Sequence, residues 1–316
     1  MTSIVNPVLQ GVALAYAADE SSFIARSAIQ QVAVSAQSGR LAKMGRVTAP
    51  ELRGNDSILL SKILRAELGA AQEINLVSSA SSLWSLSHYA VACVWDEMMR
   101  REFDALGIST DEAVTIDASQ LLLAATDYAV FAAMTDTSAL PDGAAAAKWD
   151  VATTDPRDDI DTAAEAIQKA TGCPRSALKL AMPRDVFNAV RKSPKFLAAL
   201  TVPGRDVRYL SEAELAAQLD IGGIVVSDAT WNTANDGQAP VGGYIWSTDN
   251  VCVYYDGPFR GVGRAPAFAR FYRGASDMQV ETMRKDHNRW STQCSAEQAI
   301  VTVDANAAYV ITDTLT

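Results

Sequence analysis

Histidine is almost absent from this chain: His88 and His287 are the only two. Neither has a partner at metal-ligand spacing and no H-E-x-x-H occurs, so no histidine-built metal centre is expected. Cysteine is also sparse. Cys93, Cys173, Cys252 and Cys294 are scattered without a C-x-x-C pair, which excludes a zinc knuckle or dithiol redox motif. They read as small buried apolar residues in a reducing compartment. The chain lacks a G-x-S-x-G elbow and a Walker loop. Gly261-Val262-Gly263 runs into Arg264-Ala265-Pro266 rather than a third glycine and a helix, so no cofactor loop is expected. Long apolar runs are missing too. The longest, Leu121–Met134, is broken by Thr126-Asp127 and falls short of the ~20 residues that span a membrane. The opening MTSIVNPVLQ has neither the basic start nor the apolar core of a secretory signal. Positive charge is in deficit. With 27 Lys+Arg against 37 Asp+Glu, the net charge of −10 excludes tight wrapping of nucleic acid through phosphate contacts.

What remains is a globular composition, 49% hydrophobic over 316 residues, enough for a sizeable core in one large or two smaller units. The most readable stretch is Lys148–Leu200. Asp155-Pro156 predicts an N-cap followed by proline at the first helical position. Asp158, Asp159 and Asp161 lie in the first turns, toward the positive end of the helix dipole. Ile160, Ala163, Ala164 and Ile167 make one apolar face, and Gly172 with Pro174 stops the helix. Leu178–Met182 reads as a short buried strand. Pro183 and Ser193-Pro194 each start a further helix.

Ser109-Thr110-Asp111-Glu112 is a capping box that opens the longest helix, about 110–135, roughly 40 Å long. Val114, Ala118, Leu121, Leu122, Ala125, Tyr128, Ala129 and Ala132 make a broad apolar stripe. Leu123, Val130 and Phe131 extend it to the far side. Asp117, Gln120 and Asp127 form a narrow polar line. A helix apolar on most sides is buried on most sides. It reads as a structural spine with a sheet on one side and other elements, or another copy, on the other.

Before the spine, Gln31–Ala36 alternates as a strand does. A glycine-rich segment follows, in which Arg40, Lys43, Arg46 and Arg53 face only Glu51 and Asp56. This reads as a protruding two-stranded loop that touches an acidic partner, with Ile58–Leu64 as the returning strand and Ser78–Ser87 as a connection. His88–Trp95 is β-forming, and Asp96–Leu106 is a short charged helix ending at Gly107. Beyond the central module, Ser211-x-x-Glu214 is a second capping box and Ile221–Ser227 a buried strand. Gly243–Ser247 and Val251–Tyr255 read as a hairpin, as do Ala299–Val303 and Ala307–Thr312. Ala267–Tyr272 and Gln279–Lys285 are strand-like.

Two local patterns invite a chemical reading. The aspartates at 155–161 lack the glycine and closing glutamate of a calcium loop and read as a helix start. Ser176-x-x-Lys179 matches the serine–lysine pair of acyl-enzyme hydrolases, but it enters a predicted strand and lacks the companion S-D-N and K-T-G boxes.

The order Trp149, Asp155-Pro156, Thr171-Gly172-x-Pro174, strand, helix, Ser193-Pro194, then IGGIVVSDATWNTA, YIWSTDNVCVYY and RAPAF, resembles the tailed-phage major capsid protein family. The resemblance covers nearly the whole chain. It implies an α+β fold with an N-terminal arm (1–31), an extended β-hairpin loop (32–80), a peripheral domain with the spine helix (81–150 and 265–316) and an axial domain (151–264). It implies assembly contacts through the loop residues Arg40, Lys43, Arg46 and Arg53, and a spine carrying Leu121, Leu122, Tyr128 and Phe131. The implied partners are identical subunits in hexamers and pentamers, a separate scaffolding protein, a portal and decoration proteins. Double-stranded DNA would be held by weak, non-specific contact inside a virion assembled in the host cytoplasm. No enzyme activity, loop crosslinking or membrane contact is expected. The alternatives are an encapsulin-type compartment shell and a serine acyl-hydrolase using Ser176 and Lys179.

Overall fold

The computed structural model describes residues 4–5, 23–42, 81–199, 209–232, 234, 238–239, 241–257, 267–275 and 278–316. In chain order these contain β1 (Ile4–Val5), α1 (Ala25–Ala28), β2 (Gln31–Ala33), β3 (Ser38–Ala42), β4 (Ser81–Ser85), β5 (Ser87–Asp96), α2 (Glu97–Ala105) and α3 (Thr110–Met134). Then come β6 (Asp142–Ala144), α4 (Pro156–Thr171), β7 (Leu178–Pro183), α5 (Arg184–Val190), α6 (Pro194–Ala199), α7 (Glu212–Gln218), β8 (Gly223–Ser227), β9 (Thr230–Asn232) and β10 (Gly242–Tyr244). The chain ends with β11 (Val251–Tyr255), β12 (Ala269–Arg273), β13 (Gln279–Asp286), β14 (Arg289–Thr302) and β15 (Ala308–Thr312).

Two sheets organise these elements. The first runs β1-β13-β14-β12-β2, with β5 on the other side of the long β14. The second runs β6-β15-β11-β7-β8. Its inner strands β15, β11 and β7 are buried on both faces, so alternate side chains enter different cores. Leu180, Val253 and Ile311 face a core shared with α4, α5 and α7. Ala181, Cys252, Tyr254 and Val310 face a core shared with α1 and the C-terminal half of α3.

The α4 module folds as its caps direct. The Asp155 side chain accepts from the Arg157 N–H at 3.2 Å, Pro156 opens the helix, and Gly172 closes it at φ 74°. Ile160, Ala163, Ala164 and Ile167 are all buried. Asp159 serves the module from two sides, accepting from the Ala146 N–H and, at 2.8 Å, from Trp149 Nε1. Asp161 pairs with Arg175. The aspartates therefore cap and clamp. Among the described residues, no group of three or more His, Cys, Asp or Glu is placed to hold a metal ion.

Several expected pairings are corrected. Gly242–Tyr244 pairs with β9, whereas β11 lies between β15 and β7, so these two segments form no hairpin with each other. Strands β14 and β15 do not form a hairpin either: they belong to different sheets, joined by a turn in which the Asp304 side chain accepts from the Asn306 N–H. In each case a short loop between two β-forming runs suggests a local hairpin, and pairing with strands distant in sequence overrides it. The Ser78–Ser87 stretch, read as a connection, contains β4, and β4 is the partner of β3. Trp84 fixes this pairing. Its ring stacks on Tyr272 with centroids 4.7 Å apart and covers Gly39, where a Cβ would lie 2.7 Å from the ring. The expected returning strand Ile58–Leu64 lies outside the described residues. Ala17–Ile29, whose sequence reads as a short helix, is described from residue 23 on, and there the helix is α1, Ala25–Ala28.

The spine helix α3 has 25 residues. The Ser109 hydroxyl accepts from the Glu112 N–H at 3.5 Å. Which side faces inward differs from expectation. Leu122 and Phe131 are buried, but Leu121 and Tyr128 are 55% and 60% exposed. Asp127, placed on the polar line, is fully buried. The buried side carries hydroxyls that bond the preceding turn: Thr115 to the Asp111 carbonyl, Ser119 to that of Thr115, and Thr126 to that of Leu122. Such back-bonding lets polar residues enter a core. It also frees Leu121, Ala125, Tyr128 and Ala132 to form an outward apolar strip.

Candidate assembly interface

Chemistry at Ser176 requires Lys179 to be available, and it is not. Ser176 sits exposed on the short 3-10 turn Arg175–Ala177, while Lys179 is already in β7. The Lys179 ammonium binds Asp256 Oδ2 at 2.9 Å. The other oxygen of Asp256 accepts from Arg270 at 3.2 Å, and Arg270 also donates to the Gly257 carbonyl at 2.6 Å. The Gln30 N–H reaches the same carboxylate at 3.4 Å. Arg270 is buried and Asp256 is partly buried. This cluster joins β7, the end of β11, β12 and the segment after α1. It ties the two sheets together and is structural.

A second buried polar junction centres on Asp127. Its Oδ1 accepts from the Ala25 N–H at 2.8 Å and its Oδ2 from the Ser227 hydroxyl at 2.9 Å. The Asp127 carbonyl accepts from Trp246 Nε1, and Trp246 stacks on Phe131 at 4.6 Å. Burial pushes the carboxyl from 3.8 up to about 6, against the hydrogen bonds from Ser227 and the Ala25 and Ile24 backbone, which pull it down. One aspartate thus holds α1, α3 and the end of β8 in register. Tyr254 adds a bond from its hydroxyl to the Ala28 carbonyl at 2.8 Å. Sequence reasoning missed both junctions. A lone Asp between apolar helix positions was the available signal for the second.

The cysteines are free; Cys173, Cys252 and Cys294 are buried and Cys93 is half-buried. Burial raises the thiols of Cys252 and Cys294, which makes them poor nucleophiles. No described helix is long and apolar enough to cross a membrane.

The surface carries the remaining features. Arg40 is exposed on β3; Lys43, Arg46 and Arg53 lie outside the described residues. Leu121 and Ala124 of α3 line a groove with Phe23 and with Trp231 of β9, a residue 57% exposed. Tyr128 continues the strip along α3. At the far end of the same helix, Met98 and Leu106 of the α2 region stand 70% and 73% exposed. Scattered exposed apolar residues are ordinary, but contiguous ones mark contact surfaces.

No family model matches the chain, and no curated protein matches it. Solved structures do. A phage-related protein from Bordetella bronchiseptica RB50 aligns over 99% of both chains at 18% identity, with a TM-score of 0.68. A virus-like particle from Pyrococcus furiosus aligns over 96% of this chain and 98% of its own at 12% identity and TM-score 0.58. The capsid of Myoviridae phage XM1 aligns over 88% and 86% at 11% identity and TM-score 0.52. At such identities the likeness is one of architecture: this chain has the α+β tailed-phage major capsid fold.

Proposed function

We propose that this chain is a major capsid protein that self-assembles into hexamers and pentamers and closes an icosahedral head around double-stranded DNA. The observation that carries the reading is the likeness, over 88% to 99% of the chain, to a phage-related protein, a virus-like particle and a phage capsid. The exposed strip on α3 supports it, because identical copies can cover it. Small energies per contact, multiplied over many subunits, then hold the shell. In this reading the axial domain is 151–264 and the peripheral domain 81–150 with 265–316. The two share the second sheet, to which β6 and β15 contribute from the peripheral ranges. The loop 32–80 and its basic residues Arg40, Lys43, Arg46 and Arg53 reach a neighbouring subunit. Scaffolding, portal and decoration proteins are separate chains. DNA contact is weak and non-specific, as the net charge of −10 requires. The protein acts in the virion, after assembly in the host cytoplasm, and has no catalytic role.

The likeness to the Pyrococcus furiosus virus-like particle favours a second reading, an encapsulin-type shell that encloses protein cargo. Purified particles separate the two. The capsid reading expects nuclease-protected DNA from particles produced with the rest of their gene cluster. Particles filled with protein and free of nucleic acid would support the compartment instead.

A further inference from the structure

Edge strands expose unpaired backbone donors and acceptors, and proteins blunt them by shortness, proline, lysine or bulges. Among the described residues, the edge and ribbon strands β1, β2, β3, β4, β6, β8, β9 and β10 run two to five residues each. The exception is β5, with ten. It pairs with β14 along its whole length, from Ser87↔Gln298 to Asp96↔Arg289, without a register shift. No described strand pairs with its other side. By contrast, the β13–β14 ladder is broken by an irregularity between Arg284 and Asp286. From Ser87 to Trp95 the sequence SHYAVACVW contains no proline, lysine, arginine or glycine. Tyr89 and Val94 are about half exposed. The strand is therefore long, regular and unguarded. At about 3.4 Å per residue it offers ~34 Å of edge, with the backbone groups of about every second residue turned outward.

We propose that the outer edge of β5 is an interface that takes an extended strand from a second copy of this chain, enlarging the six-stranded sheet across the subunit boundary. The inference rests on the shell reading and names one contact within it. The chain cannot close this edge with its own adjoining strand. β4 enters β5 through Leu86 alone, and an antiparallel return needs a turn of about two residues. A copy supplies what is missing. The two-stranded β3–β4 ribbon has unpaired outer sides among the described residues and exposes Leu83. Charge agrees: β5 carries no lysine or arginine and ends on Asp96, whereas β3 carries exposed Arg40 and no acid. Strand addition of this kind draws affinity from main-chain hydrogen bonds and specificity from alternate side chains.

The test is hydrogen exchange on the full-length protein, unassembled and assembled, with two lysine-pair variants. Ala90→Lys with Ala92→Lys guards the edge at exposed positions. Ala213→Lys with Ala217→Lys adds the same charge to exposed positions at α7. The β5 amides are expected to exchange at least tenfold more slowly in the assembly than in the free subunit. The edge pair is expected to cut the assembled fraction about tenfold at an unchanged Tm, while the α7 pair assembles as the parent does. If the parent assembles and its β5 amides exchange equally in both states, the strand contact is overturned and the shell reading survives. A parent protein that stays monomeric in every condition overturns both.

Discussion

Replacing Asp127 with asparagine isolates the cost of burying one charge. The carboxyl titrates at about 6 in the folded chain against 3.8 for an ordinary aspartate. A folded-state pKa above the unfolded one means that the native state holds the proton more tightly. Asp127 therefore contributes most to stability below about pH 4, and that contribution falls as the pH rises through 4 to 6. Above pH 6 the ionised group costs about 3 kcal/mol relative to its neutral form, from a shift of about two units at 1.36 kcal/mol each. Asparagine keeps an oxygen for the Ala25 N–H and offers its amide to Ser227, so it mimics the protonated state. The assay is urea unfolding of the dilute, unassembled protein from pH 4 to 8, with parent and variant compared at each pH. The difference cancels the other acids. Asp127→Asn is expected to match the parent near pH 4 and to exceed it by about 1–3 kcal/mol at pH 7 to 8. A pH-independent difference, or one that grows toward acid, would refute the reasoning. Asp127→Ala, which orphans two buried donors and opens a cavity, should instead lose about 2–4 kcal/mol near pH 4, and that loss should shrink by up to about 3 kcal/mol toward pH 8 as the parent's carboxyl ionises.

Asp256→Ala leaves Arg270 buried beside an empty site and strips Lys179 of its partner, so thermal unfolding should show a loss of about 3–5 kcal/mol. Gly222→Ala would put a Cβ 2.5 Å from the Ser176 carbonyl and 3.2 Å from that of Leu178. Neither backbone atom can yield, so chemical unfolding should register about 1–3 kcal/mol of strain. Ser176→Ala should change stability by less than ~0.5 kcal/mol and leave assembly untouched. A serine-reactive fluorophosphonate should label neither form, and stoichiometric labelling lost in the variant would restore the hydrolase alternative.

Local chemistry was legible where it stands by itself. Asp155-Pro156, Gly172 and the Ile160–Ile167 face give α4 to within a residue, because each signal acts within one or two turns. The cap at Ser109 likewise starts α3 correctly. Partner choice was less legible. Gly243–Ser247 and Val251–Tyr255 read as one hairpin, yet β11 is enclosed by β15 and β7, and nothing in the intervening turn reports on those distant strands. The face of α3 was misread for a related reason. Its periodicity defines stripes, but alanine and tyrosine outside look the same as alanine and leucine inside. The deciding feature is that Thr115, Ser119 and Thr126 satisfy themselves on their own helix. Asp127 depends on donors about a hundred residues away, at Ala25 and Ser227, and Asp256 gathers Lys179, Arg270 and Gln30 from three separate segments, which no local pattern connects. The resemblance to capsid proteins, which rests on the order of elements along the whole chain, anticipated the fold that the solved structures share.

The central claim is that this chain completes itself only among its own copies. Electron microscopy with light scattering on the purified protein tests it most directly. Closed, uniform shells with fivefold and sixfold clusters of subunits are the expected result. Monodisperse monomers across salt, pH and concentration would contradict it.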